Sequence, residues 1–152
     1  MCLERLGDAD IWWRANPQSN SAGNLVLHLA GNARQWITSG LGGVRDVRDR
    51  NREFSETGPI AGRMLAAVLR KEVQAACRAI AGLRTEDLAA PYVIQGFRVT
   101  GLNAIDHVVE HFAYHTGQII YLTKLRLGTD LGFTRLPRQK QPAGARSALP
   151  AI

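Results

Sequence analysis

Three histidines recur at intervals of four residues in the segment HVVEHFAYHTGQ. They are His107, His111 and His115, and the fourth histidine of the chain, His28, lies in the apolar run NLVLHLAGN. A step of four residues along an α-helix advances about 6 Å and turns the side chain by only about 40°. Neighbouring members of the series can therefore bind one ion. Such a pair, joined by a histidine from another helix, would give three nitrogen ligands and an open position, as in catalytic metal sites.

The reach of a single ion limits which histidines can act together. His107 and His115 lie about 12 Å apart along a helix, too far for both to form bonds of about 2.1 Å to one ion. The helix therefore offers either His107 with His111 or His111 with His115, and His28 would complete the set. Spacing alone leaves both pairs open.

Two polar neighbours are candidates for supporting roles. Asn32 follows His28 by four residues, and Gln118 follows His115 by three. Either side chain could orient a histidine ring or contact a bound substrate. The histidine left out of the ligand pair could act in the same way.

Helical periodicity predicts an all-α bundle to position these residues. Apolar stripes and capping residues predict helices over residues 1–15, 21–39, 59–82 and 100–127, of which the first is short. Ser19, Asn20 and Ser21 are candidate caps of the second helix. Thr100 and Gly128 bound the last one. The expected fold class is a four-helix bundle over residues 1–133.

Three other segments lack a helical period. Residues 44–58, VRDVRDRNREFSETG, alternate basic and acidic side chains and are predicted to be a charged surface connection. Residues 91–100 are rich in β-branched and aromatic residues around Gln95-Gly96, which favours a short extended segment or hairpin. Residues 134–152 are Pro-rich and basic, and are predicted to be a flexible tail.

Composition is typical of a soluble protein. The chain has 152 residues, of which 45% are hydrophobic, and no apolar run approaches the ~20 residues that span a bilayer. The start of the chain lacks the features of a signal peptide, so we expect a cytoplasmic protein. Its two cysteines have no CxxC spacing and form no disulfide framework.

The net charge of +6 is a weak indication of nucleic-acid binding. The basic residues of 44–58 are mostly balanced by acidic neighbours, and much of the excess lies in the tail. Basic residues are not interleaved with aromatic ones, as they are in proteins that bind single strands. We therefore expect no nucleic-acid partner.

Two segments carry a resemblance to a known family. SAGNLVLHLAGNARQWI and HVVEHFAYHTGQIIYLTKLRLGTDLGF closely resemble the DinB-like superfamily of metal-binding four-helix bundles, especially a branch of uncharacterised function. The resemblance implies an up-down-down-up bundle and the ligand set His28, His111 and His115, with His107 outside it. It also implies zinc or nickel as the metal and a homodimer. The first helix is shorter than in that family.

The resemblance also implies a class of reaction. Characterised relatives include thiol-dependent transferases and isomerases that use bacillithiol, mycothiol or glutathione. The leading hypothesis is therefore a metal-dependent enzyme that activates a thiol or water toward a small-molecule substrate. The alternative is a non-catalytic metal-binding module that serves a stress response or an interaction.

Overall fold

Three long helices, each with a buried apolar face, make up most of the described chain. The computed structural model describes residues 1–133. In chain order its elements are α1 (Cys2–Arg5), α2 (Asp8–Ile11), α3 (Ala22–Ala33), which continues as a π-helix (Arg34–Ser39), α4 (Arg50–Ser55), α5 (Gly62–Ala81), α6 (Thr85–Ala89), β1 (Pro91–Ile94), β2 (Phe97–Thr100) and α7 (Gly101–Leu127). The predicted all-α fold is confirmed, and the predicted tail, residues 134–152, lies outside the described residues.

The start of α3 is fixed by a reciprocal cap. The Ser21 hydroxyl accepts a hydrogen bond from the backbone N–H of Asn24 (3.1 Å), and the Asn24 side chain accepts one from the N–H of Ser21 (3.1 Å). Residues around almost the whole circumference of α3 are buried, including His28 and Asn32. The predicted helix over 21–39 is confirmed, although its last six residues are π-helical.

The hairpin and α7 also match their predictions. Strands β1 and β2 pair antiparallel, and Ile94 faces Phe97 across a turn in which Gln95 and Gly96 have positive φ values of 53° and 82°. Helix α7 begins after Thr100, whose side chain accepts from the N–H of Asn103 (3.2 Å). It ends at Gly128, which adopts the left-handed conformation.

The amino-terminal segment differs from the prediction of one helix over residues 1–15. It forms two four-residue helices, because Gly7 adopts an extended conformation and starts α2 as its N-cap. The break lets Leu6 and Ile11, 6% and 0% exposed, both reach the core. The Asp8 carboxylate then accepts a hydrogen bond from the first N–H of α5, at Gly62 (3.0 Å).

Most residues of the predicted surface connection, 44–58, are exposed, but the prediction missed a short helix and a buried acidic side chain. Asp49 caps the short helix α4 by accepting from the N–H of Arg52 (3.1 Å), and Glu53 in that helix is only 8% exposed. Helix α5 begins at Gly62 rather than near Pro59, because Ala61 is extended and is its N-cap. The preceding carbonyl, of Ile60, accepts a hydrogen bond from Trp12 Nε1 (3.1 Å). We call residues 44–61 the α4 segment.

Helix α3 lies between its two long neighbours and contacts both α5 and α7. One apolar cluster includes Leu25 and Leu29 of α3 with Leu65 of α5 and Ile119 of α7. A second cluster contains Trp36 and Ile37 with residues of α5, α7 and β1. The packing of α3 against α7 brings the middle of α3 opposite the histidines of α7.

Replacing Asn24 with alanine tests how the α4 segment is attached. The Asn24 amide donates to the backbone carbonyls of Glu53 (3.0 Å) and Glu56 (2.8 Å) and is fully buried. Asn24→Ala leaves these acceptors without their partner, so we expect the free energy of unfolding to fall by about 2 kcal/mol. The measurement is urea unfolding followed by circular dichroism.

The matched control is Asn103→Ala. Asn103 occupies the equivalent position in the first turn of α7 but is exposed. We expect it to cost about 0.5 kcal/mol. Equal losses in the two variants would contradict the attachment of the α4 segment through Asn24.

Candidate metal centre

Histidines from two helices meet between α3 and α7. His28 comes from α3, whereas His111 and His115 come from α7, and one ring nitrogen of each lies within 4.8 Å of the other two. The Nε2 atoms of His28 and His111 are 2.9 Å apart. His28 and His115 are 5% and 8% exposed, and His111 is half-buried. We call these residues the three-histidine cluster; their role as metal ligands stays a prediction.

The α4 segment supplies two charged side chains that contact His28. Glu53 Oε2 lies 2.8 Å from His28 Nδ1. Arg48 donates to both carboxylate oxygens, from Nε to Oε1 (2.6 Å) and from Nη2 to Oε2 (2.8 Å). Burial alone would raise the pKa of Glu53, but hydrogen bonds from Arg48 and His28 lower it overall. Arg48 Nη2 also lies 3.0 Å from His28 Nδ1, but it donates to Glu53 Oε2 and to the His28 carbonyl (3.5 Å). An ionised carboxylate only accepts, so the Glu53 contact favours the form of His28 with the proton on Nδ1 and the lone pair on Nε2.

Gln118 contacts the second buried ring. Its Oε1 lies 2.7 Å from His115 Nδ1, and an amide oxygen can only accept. With the amide oriented in this way, Nδ1 of His115 is the donor, which leaves the lone pair of Nε2 free. Gln118 therefore has the ring-orienting position that the sequence suggests for it.

His107 and Asn32 form a separate polar layer beside the cluster. Asn32 Nδ2 lies 3.3 Å from His107 Nε2, and the His107 ring stacks on Trp36 with centroids 3.9 Å apart. The structure therefore places His107 outside the cluster, which agrees with the resemblance. Among the described residues, Asn32 Oδ1 is buried without a hydrogen-bond partner.

Burial keeps the histidines of α7 uncharged near neutral pH. Burial and the neighbouring rings of His115 and His28 lower the pKa of His111 to about 4. Burial also lowers the pKa of His115 and of His107. Neutral imidazole is the form that binds a metal, because the ligand nitrogen must present a lone pair.

The three-histidine cluster fits a divalent transition metal. Its donor set is three imidazole nitrogens, which suit zinc, copper, iron and nickel better than calcium or magnesium. Tetrahedral bonds of about 2.1 Å would place ligand nitrogens about 3.4 Å apart. The 2.9 Å between His28 and His111 Nε2 would widen to reach that value, and separations toward the 4.8 Å limit of the cluster would shorten.

Sequence reasoning missed Arg48 and Glu53. Both lie in the segment that the charge alternation assigns to the surface, yet the side chain of Arg48 is 2% exposed and that of Glu53 is 9% exposed. The sequence feature that could have indicated this contact is Gly31. An isolated glycine inside a buried helix indicates the close approach of another group. A Cβ at position 31 would overlap the carboxylate of Glu53.

Comparison with models of known protein families identifies the family of this chain. A family model described as a protein of unknown function, DUF1572, matches residues 1–140. The chain belongs to this family. The crystal structure of a DinB-like protein from Bacillus cereus ATCC 10987 is similar to it, with a TM-score of 0.68 and 18% identity over 88% of this chain and 86% of that chain. Comparison with curated proteins gives no significant match.

These comparisons confirm that this DUF1572 protein has the DinB-like fold. They leave its activity, its metal and its substrate as proposals. Within residues 1–133, no helix combines the length and the apolar character that crossing a membrane requires.

The low pKa of His111 predicts a pH dependence of stability. Its ordinary value is 6.5 and its value in the folded protein is about 4. Between these two values the unfolded chain binds more protons than the folded one, so the stability contributed by neutral His111 is lost as the pH falls from about 6.5 to about 4.

Urea unfolding of the metal-free DUF1572 protein at pH 7, 6 and 5 measures this loss. His111→Gln should lose less stability than the wild type over the same interval, because one titrating group is removed. His107→Gln removes a histidine of α7 outside the cluster whose pKa burial also lowers, so it should reduce the loss in the same direction. A pH dependence unchanged by His111→Gln would contradict the low pKa.

Proposed function

We propose that this DUF1572 protein is a metal-dependent enzyme in which His28, His111 and His115 bind a divalent ion, zinc or nickel. The ion would lower the pKa of a thiol or water. The deprotonated thiol or water would then be the nucleophile that attacks a small-molecule substrate. The proposal makes a transferase or a hydrolase the expected class of enzyme.

The convergence of three imidazole nitrogens from two helices carries the proposal. Buried polar atoms cost free energy unless they are paired, and one nitrogen of each ring faces the other two rings. Three protein ligands leave a coordination position open, as catalytic zinc sites do. A structural zinc site would need a fourth protein ligand, and the cluster found among residues 1–133 has three members.

The protein side chains prepare the donor atoms. Glu53 and Gln118 contact the Nδ1 atoms of His28 and His115, which would hold the protons there and let each ring present Nε2. Burial between α3 and α7 excludes water from two of the rings. Helices α3 and α7 are both long and well packed, which makes the cluster more rigid than a site on loops.

A cleft lined by Gln118, the partner of His115, would offer room for a small-molecule substrate. It has a volume of about 550 Å³, and its walls include Asn20, Tyr114, Gln118 and Tyr121. Gln118 both lines the cleft and contacts His115. A low-molecular-weight thiol as the cosubstrate is part of this proposal and is supported by the family resemblance, as is a homodimer. The cytoplasmic location stays a prediction.

Metal analysis of three purified proteins tests the proposed site. We expect the wild type to contain about one divalent ion per chain. His111→Ala should lose most of it, because metal affinity depends on all three ligands. His107→Ala is the matched control and should keep its metal, since His107 lies outside the cluster.

Equal metal content in the wild type and His111→Ala would overturn the site. The metal-loaded protein is then assayed for thiol transfer to an electrophile and for hydrolysis. Bound metal without either reaction would favour the alternative function, a non-catalytic metal-binding module for a stress response or an interaction.

A further inference from the structure

We propose that Glu53 and Arg48 are positioning residues for His28, which hold its proton on Nδ1 and keep Nε2 directed at His111 and His115. The inference rests on the proposed function for the role of the ion. The hydrogen-bond arrangement itself belongs to the chain and can be tested without metal.

The contact between Glu53 and His28 selects one form of the ring. A neutral imidazole carries its proton on either nitrogen, and a carboxylate beside one nitrogen stabilises the form protonated there. Glu53 Oε2 lies 2.8 Å from Nδ1, and the two side chains are 9% and 6% exposed. Water therefore competes little for this hydrogen bond. The same contact restrains rotation of the ring. Arg48 Nη2 lies 3.0 Å from the same nitrogen, Nδ1, but donates to Glu53 Oε2 and to the His28 carbonyl.

Arg48 holds the carboxylate in place. It binds Glu53 through two parallel hydrogen bonds, and its Nη1 also donates to Gln35 Oε1 of the π-helix (2.9 Å). Its side chain is 2% exposed. The positive charge of Arg48 offsets the negative charge of Glu53, so the pair orients His28 without adding net charge beside the ion.

Gly31 provides the space that this arrangement needs. A Cβ at this position would overlap Glu53 Oε1 and would lie 2.9 Å from Arg48 Nε. Gly31→Ala therefore displaces the carboxylate while both charged residues remain in the chain. Alanine favours the helix more than glycine does, so this variant disturbs the pair without weakening α3.

A second, partly exposed ion pair provides a control. Arg34 Nη1 and Glu72 Oε2 are 3.5 Å apart, and their side chains are 29% and 12% exposed. This pair joins the π-helix to α5. The test variant Arg48→Met/Glu53→Met and the control Arg34→Met/Glu72→Met each remove one whole pair, so neither leaves an unpaired buried charge.

The first measurement uses metal-free protein. Two-dimensional ¹H–¹⁵N correlation of the imidazole rings identifies which nitrogen of His28 is protonated. We expect the Nδ1–H form in the wild type and in the control. We expect the Nε2–H form to appear in Arg48→Met/Glu53→Met and in Gly31→Ala. A wild-type His28 protonated on Nε2 would overturn the proposal.

The second measurement is binding of Co²⁺, whose visible spectrum reports ligand geometry. Loss of a carboxylate that orients a ligand histidine typically weakens metal binding 10- to 100-fold. We expect such a loss, with a changed spectrum, in Arg48→Met/Glu53→Met, and no change in the control. Equal weakening in both would indicate a general effect on folding and would overturn the positioning role.

The two measurements separate this inference from the proposed function. If the wild type does not bind Co²⁺, the proposed metal site is wrong. The position of the proton on His28 still shows whether Glu53 orients the ring. If Arg48→Met/Glu53→Met does not fold, Gly31→Ala provides the same comparison with both side chains retained. Unchanged protonation and unchanged Co²⁺ binding in Gly31→Ala would then overturn the inference.

Discussion

The close approach of α3 and α7 around three imidazole rings is the constraint on which the rest of this structure depends. A histidine ring buried between helices has two nitrogens that need partners. For His28 and His115 one nitrogen is satisfied by Glu53 or Gln118, and the other faces the remaining rings. The apolar clusters on either side hold the two helices at a separation that makes this meeting possible.

The α4 segment extends this constraint beyond the long helices. Glu53 of α4 contacts His28 of α3, and Arg48 neutralises the negative charge of Glu53 at that contact. Asn24 attaches the same segment through the backbone carbonyls of Glu53 and Glu56. Two charged side chains of a short, irregular connection are therefore buried, because they contact the His28 ring in the neighbouring helix or each other. The same contacts contribute to the stability of the fold and to the geometry of the site.

The elements with regular periodicity could be predicted from the sequence. Helix α7 has a capping threonine and a terminal glycine, and the structure matches both. The hairpin around Gln95-Gly96 matches as well. These features are local, since the residues that determine them are close together in the chain.

The site could be predicted only in part, because some of its contacts are not local. Helical spacing identifies His111, but it leaves His107 and His115 equivalent, and the family resemblance was needed to choose between them. Glu53 contacts a residue 25 positions away, so nothing in its own segment marks it as buried. The break at Gly7 depends likewise on how Leu6 and Ile11 meet a core built from distant helices.

Anomalous diffraction from crystals of the purified protein, recorded on both sides of the zinc and nickel absorption edges, tests the central claim most directly. The account predicts one peak about 2.1 Å from a ring nitrogen of each of His28, His111 and His115. It also predicts that His107 lies outside bonding distance. A peak bound by His107 and His111, or well-ordered rings with no metal peak after incubation with zinc or nickel, would contradict the account.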